Sequence, residues 1–163
     1  MSPAAARKAE LQLIEQSPLE FGDLIVLGSG SRTVQPDGRV RDNGVVSVAS
    51  TPPRAARYVL QYDRGNNANK IYNVEVAITF LQPPRFNTGN VNAELLSLST
   101  DLPGFSSVRL NQPITVTLSP CRRRTCELAF NVGGTMVISA SGGSADVEIG
   151  MPASSIVIEV HQL

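Results

Sequence analysis

Ala9-Glu10-Leu11-Gln12-Leu13-Ile14-Glu15 is the stretch on which the reading of the fold turns. Two local structures compete for it. Ser2-Pro3 followed by Ala4-Ala5-Ala6-Arg7-Lys8 predicts a capped helix with Pro3 at its first position, and Ala, Leu, Lys, Arg, Glu and Gln all favour helix. Against that, Ala9, Leu11 and Leu13 alternate with Glu10 and Gln12, the period-2 pattern of a half-buried strand. Propensity alone favours the helix, but the rest of the chain reverses that preference. Read as a strand, the segment has no hairpin turn joining it to the next strand signal. The question is then whether it enters its own sheet or that of another copy.

From Leu19 onward the chain is punctuated as an all-β protein. Leu24-Ile25-Val26-Leu27 is followed by a Gly28-Ser29-Gly30-Ser31 break. Pro36-Asp37-Gly38 predicts a β-turn, and Asp42-Asn43-Gly44 a second one opening onto Val45-Val46-Ser47-Val48. Pro52-Pro53 excludes a central strand there. Ile71 to Leu81 is the longest strand candidate, with Tyr72, Val74, Val76, Ile78 and Phe80 on one face. Residues 85–93 read as a surface loop, and Leu95 to Leu98, Phe105 to Leu110 and Ile114 to Leu118 as short strands. Gly133-Gly134 and Gly142-Gly143 separate the later ones, Glu127 to Val132, Thr135 to Ser139 and Val147 to Ile149, before a terminal Ile156 to Val160 strand. Roughly ten short strands, spaced about every ten residues, predict an antiparallel sandwich or barrel. The absence of strand–helix alternation argues against a parallel sheet.

The totals bound the function. The chain has 163 residues, enough for one domain with a sizeable core. Asp plus Glu and Lys plus Arg balance at 14 each, which argues against nucleic acid as the main partner. No apolar run approaches the roughly 20 residues of a transmembrane helix. Residues 1–17 contain no continuous apolar stretch of the kind a secretory leader requires, so either the protein is cytosolic or its leader is absent from this sequence, and the closely spaced cysteine pair favours the second.

Motifs for catalysis are scarce. His161 is the one histidine, placed at a chain end, and no Gly-x-Ser-x-Gly elbow occurs. Gly28-Ser29-Gly30-Ser31 lacks the following Lys and helix of a phosphate loop and reads as a flexible turn. Asp146 and Glu148 share a strand face. They support a carbohydrate-active enzyme only as the weakest of three hypotheses, since nothing sets them across a cleft. The only cysteines, Cys121 and Cys126, flank Arg122-Arg123-Arg124-Thr125. That spacing fits a disulfide at a hairpin end, against two free thiols or a zinc site that would lack ligands. Arg122, Arg123 and Arg124 form the one concentrated charge. They read first as a solvated tip, and second as a contact for anionic polymer, lipid headgroups or an acidic neighbour. Aromatic content of 5% with no Trp gives little support to a sugar-stacking platform. No cofactor or metal is expected.

Several motifs resemble a known family. Leu19-Glu20-Phe21-Gly22-Asp23-Leu24 with Pro36-Asp37-Gly38 resembles the opening of the bacterial family called domain of unknown function 4402. Phe130-Asn131-Val132-Gly133-Gly134-Thr135-Met136-Val137-Ile138 resembles its late signature, and Gly142-Gly143 with the terminal strand its ending. The likeness covers most of residues 9–163. It departs in a charged extension, in Ala145-Asp146 after the late glycines, in the His161-Gln162-Leu163 end and in the cysteine hairpin.

The resemblance implies a secreted, immunoglobulin-like sandwich similar in style to spore-coat-protein-U and archaic chaperone–usher pilins. In such pilins a neighbour's N-terminal strand completes the subunit by β-strand addition. The expectation is therefore a donor segment in residues 1–18 and a sandwich domain in 19–163. Leu11 and Leu13 would be the main plugs, with Ala9 beside them. The product would be a homopolymeric filament on the bacterial surface, with a periplasmic chaperone and an outer-membrane usher as partners. The alternative is a monomeric secreted or periplasmic binding module or adhesin, with function in the Arg122–Arg124 tip or in residues 85–93.

Overall fold

Alternation decides which residues the sheets bury. The structure, a computed structural model, describes residues 8–47, 51–65, 72–121, 123–151 and 156–162, with side chains at all of these except 72–73, 88, 119–121, 142–151 and 160–162. Its strands are β1 (Glu10–Ser17), β2 (Leu19–Val34), β3 (Val40–Ser47), β4 (Ala56–Asp63), β5 (Tyr72–Phe80), β6 (Phe86–Thr88), β7 (Val91–Thr100), β8 (Ser107–Val108), β9 (Pro113–Cys121), β10 (Thr125–Met151) and β11 (Ile156–Gln162). On β5, Val74, Val76, Ile78 and Phe80 are fully buried, which is the face expected from the sequence. They meet Ala56, Tyr58, Leu60 and Tyr62 of β4 and Phe130, Val132, Met136 and Ile138 of β10 in one core. No helix occurs among the described residues, and the strands pair antiparallel throughout, as the turn spacing predicts.

Two sheets make up the sandwich. One has the order β1-β4-β10-β2-β3, with β7 on the other edge of β10 and β6 and β8 beside β7; the second has the order β11-β5-β9. The first sheet cannot be flat. Val132 of β10 pairs with Ala56, whereas Gly150 of β10 pairs with Glu20, which itself bridges to Arg54. Residues 132 and 150 are thus a few strand spacings apart, about 20 Å, where a straight strand would separate them by about 60 Å. The β2–β10 ribbon therefore folds over. Its register breaks between Ser139 and Ser144, and β2 shifts against β3 between Val26 and Ser31. Such corners let one long strand serve both parts of a sandwich.

Glycines expected to end strands instead lie within them. Gly30 and Gly44 belong to β2 and β3, where the backbones cross closely: a Cβ on Gly30 would stand 2.5 Å from the Asn43 carbonyl oxygen, and one on Gly44 2.6 Å from that of Ser29. Asp42-Asn43-Gly44 is accordingly part of β3 and not a turn. Gly133-Gly134 and Gly142-Gly143 likewise lie inside β10. The Pro36-Asp37-Gly38 turn forms as expected, with the Gly38 N–H donating to the Gln35 carbonyl at 2.9 Å. Residues 85–93 hold the β6–β7 hairpin where a loop was expected, and Phe105–Leu110 supplies only the two-residue β8.

Two arginines, Arg32 and Arg64, are buried among the described residues, and the first escapes any reading of the sequence. Arg32 on β2 is wholly buried and lies opposite Asp42 of β3. Its Nε donates to Asp42 Oδ1 at 2.6 Å, Nη2 to Asp42 Oδ2 at 2.9 Å and to Ser47 Oγ, and Nη1 to the Phe21 carbonyl at 2.7 Å. A guanidinium satisfied on both arms is tolerated in a core because its fork geometry matches the carboxylate. The pair also ties the register of β3 to β2.

Candidate assembly site

The segment Glu10–Ser17 is a strand. It pairs antiparallel with β4, setting Leu11 opposite Tyr62, Leu13 opposite Leu60 and Glu15 opposite Tyr58. β10 lies on the far side of β4 and continues the rows with Cys126, Leu128 and Phe130. Directly opposed residues share a face, so Leu11, Leu13 and Glu15 are the inward set of β1. Leu11 and Leu13 are half-buried and pack on the core, while Ala9 is exposed just ahead of the strand. The outward rows are polar on either side of an apolar one, Ile14, Val59 and Ala129: Gln61 Nε2 donates to Glu127 at 3.0 Å and Arg57 Nε to Gln16 at 2.8 Å.

Propensity for helix loses here because the β4 edge offers a full ladder of hydrogen bonds and a place for two leucines. Helix preferences among these residues are worth only tenths of a kcal/mol each. The ladder also passes through Pro18 without a turn. Ser17 pairs with Arg57, the Glu20 and Arg54 backbones exchange hydrogen bonds at 3.0 and 2.8 Å, and the Asp23 N–H donates to the Thr51 carbonyl at 3.0 Å. One irregularity interrupts it, between Glu15 and Ser17. Within its own chain, then, β1 is the terminal strand of the first sheet, and among the described residues its outer edge carries no ladder.

Tyr58 is the unusual member of the inward rows. It is fully buried, packs on Phe130 with ring centroids 5.7 Å apart, and its Oη has no hydrogen-bond partner. Burial, with the Glu15 carboxylate as the second cause, pushes its phenol from 10.0 up to about 12. Below about pH 10 the phenol is protonated in both folded and unfolded chains. Between about 10 and about 12 the unfolded chain gives up the proton first, so stability falls as pH rises. Urea midpoints at pH 9 and 11 are expected to drop more in the wild type than in Tyr58→Phe. Equal drops would show that Tyr58 contributes nothing to the alkaline loss.

The other residues singled out from the sequence are not gathered here into a catalytic or metal site. No cluster of three or more His, Cys, Asp or Glu side chains suited to a metal occurs among the described residues, nor a helix long and apolar enough to cross a membrane. Cys121 ends β9 and Cys126 follows the start of β10, and no free cysteine is found among the described residues. The Cys121 side chain and all of Arg122 lie outside those described. Arg123 and Arg124 are exposed at the hairpin end, with Arg124 Nε 3.3 Å from Asp63 Oδ1. The side chains of Asp146, Glu148 and His161 lie outside those described.

The Val132-Gly133-Gly134-Thr135 segment sits where β10 passes from β4 to β2, with β7 on its other edge. It also underlies the Pro36 turn, since a Cβ on Gly133 would fall 2.1 Å from the Val34 carbonyl oxygen and 2.9 Å from Pro36 N. Two distant sequence fragments therefore form one packing contact. The family model titled Domain of unknown function (DUF4402) matches residues 11–157. The chain belongs to the DUF4402 family. The match opens inside β1 and runs into β11, so both leucines of the first strand fall within the DUF4402 region. No curated protein and no solved structure matches the chain significantly.

Proposed function

We propose that this protein is a structural subunit of a bacterial surface filament, secreted through the periplasm and polymerised by donation of its first strand to the next subunit. The observation that carries this reading is the placement of β1: a terminal strand whose Leu11 and Leu13 fill the core beside the β4 edge. Without β1 that edge would expose unpaired backbone and the row Tyr62, Leu60 and Tyr58. An open edge of this kind is a template for a strand from another chain. Each leucine would contribute up to about 1.5–3 kcal/mol if fully buried. A chaperone that caps the open edge and an outer-membrane usher fit such a pathway, as does a Cys121–Cys126 disulfide closing the β9–β10 end in an oxidising compartment.

Opposite residues Gln12 and Gln61 provide the test. Paired positions in a ladder lie about 5 Å apart, within reach of a disulfide, so Gln12→Cys with Gln61→Cys would fasten β1 to its own β4. The oxidised variant is expected to remain monomeric, while untreated wild type forms filaments in electron micrographs. Filaments of normal length from the locked protein would exclude donation.

A second reading rests on the same ladder. Because β1 already completes its own sheet, a monomeric secreted binding module or adhesin is the alternative. It would give a monomer peak by light scattering for locked and unlocked protein alike.

A further inference from the structure

The inward set of β1 is two leucines and then a carboxylate. Glu15 is paired with Tyr58, yet its side chain is exposed, and the buried Tyr58 Oη is left without an acceptor. The register of β1 on β4 breaks at the next step, between Glu15 and Ser17. The break directly precedes Pro18. Beyond it the chain is committed, through Pro18, to the pairing of Glu20 with Arg54, one residue out of step with the pairing of residues 10–15. A strand that leaves the groove after residue 17 has no such commitment, and its third inward side chain is free to settle against the phenol.

We infer that Tyr58 reads the third inward position of whatever strand occupies the β4 edge, and that β1 of a second copy seats its Glu15 carboxylate there as the acceptor of the Tyr58 hydroxyl. The groove would thus select strands of the pattern apolar, apolar, acceptor at alternate positions. Two observations support a second copy as occupant. Its β1 carries this pattern in register, and the chain's own β1 leaves the buried donor unsatisfied, so exchange gains a hydrogen bond that folding back does not. The inference rests on the strand-exchange reading above.

The test uses full-length wild-type and Tyr58→Phe protein, each mixed with a fluorescent peptide of residues 8–17, with capture read by anisotropy. A hydrogen bond from a neutral donor to a charged acceptor implies at least about tenfold tighter capture by the wild type. A Glu15→Ala peptide is expected to bind the wild type about as weakly as the unaltered peptide binds Tyr58→Phe, and to lose nothing further on that variant. Tyr58→Phe alone is expected to melt no lower than wild type, because it discards an orphan hydroxyl, so a folding defect would be visible separately. Equal capture by both proteins, or equal binding of both peptides to wild type, overturns the role of Tyr58 and leaves strand exchange standing. No capture by either protein overturns both.

Discussion

Asp42→Ala is expected to destabilise the fold by about 3–5 kcal/mol, because it leaves the buried Arg32 guanidinium without its counter-charge. Arg32 is 0% exposed, whereas the Asp42 side chain is 26% exposed. The asymmetry predicts an order. Removing the carboxylate strands a charge in the core with only the Phe21 carbonyl and Ser47 Oγ as partners. Removing the charge with Arg32→Met leaves a carboxylate that water can reach and a side chain of similar length to fill the space, at a cost of about 1–3 kcal/mol. Urea unfolding with unchanged denaturant dependence would measure both. If Arg32→Met proved the more damaging, the pair's hydrogen bonds to Phe21 and Ser47 would matter more than its charge balance. The expected loss should also loosen β3, whose register on β2 this pair spans.

Gly133→Ala is expected to cost about 3 kcal/mol or more, beyond the usual range for added core volume. The new methyl would meet the Val34 carbonyl oxygen at 2.1 Å, the Gln35 carbonyl carbon at 2.7 Å and Pro36 N at 2.9 Å. All three are backbone atoms of β2 and the turn that follows it, so none can rotate aside. Gly134→Ala is the internal control. Its methyl would meet Leu95 Cδ1 and Leu98 Cδ2 at 3.1 Å each and the Ser97 carbonyl oxygen at 3.0 Å. The leucine ends can shift, and the expected cost is about 1 kcal/mol. Without these contacts, alanine in a strand would be favoured over glycine. Melting temperatures of the two variants should therefore differ by several degrees, with Gly133→Ala the lower. Matching values would mean that the β10 backbone moves away from the Pro36 turn at little cost. The lack of a side chain at Gly133 is what lets β10 lie against the start of the Pro36-Asp37-Gly38 turn.

The class of fold and one face of the core were legible from local patterns alone. Alternation in Val74, Val76, Ile78 and Phe80 is a local property, since successive side chains of any strand point to opposite faces. Proline and glycine signals were legible where they act locally, as at Pro36-Asp37-Gly38. They misled where glycine serves a distant neighbour. Gly30, Gly44 and Gly133 look like interruptions, but each makes room for the backbone of another segment packed against it, and spacing does not encode that. Arg32 was hidden for the same reason: its burial depends on Asp42 and Phe21 arriving from β3 and the start of β2.

Leu11 and Leu13 were readable as the inward pair of a strand, yet local propensity favoured a helix for their segment. Tertiary structure decided it, because the β4 edge supplies hydrogen bonds and burial that outweigh small helix preferences. It also decided what no alternation could show. The third inward residue is a glutamate paired with a buried tyrosine whose hydroxyl is left without a partner.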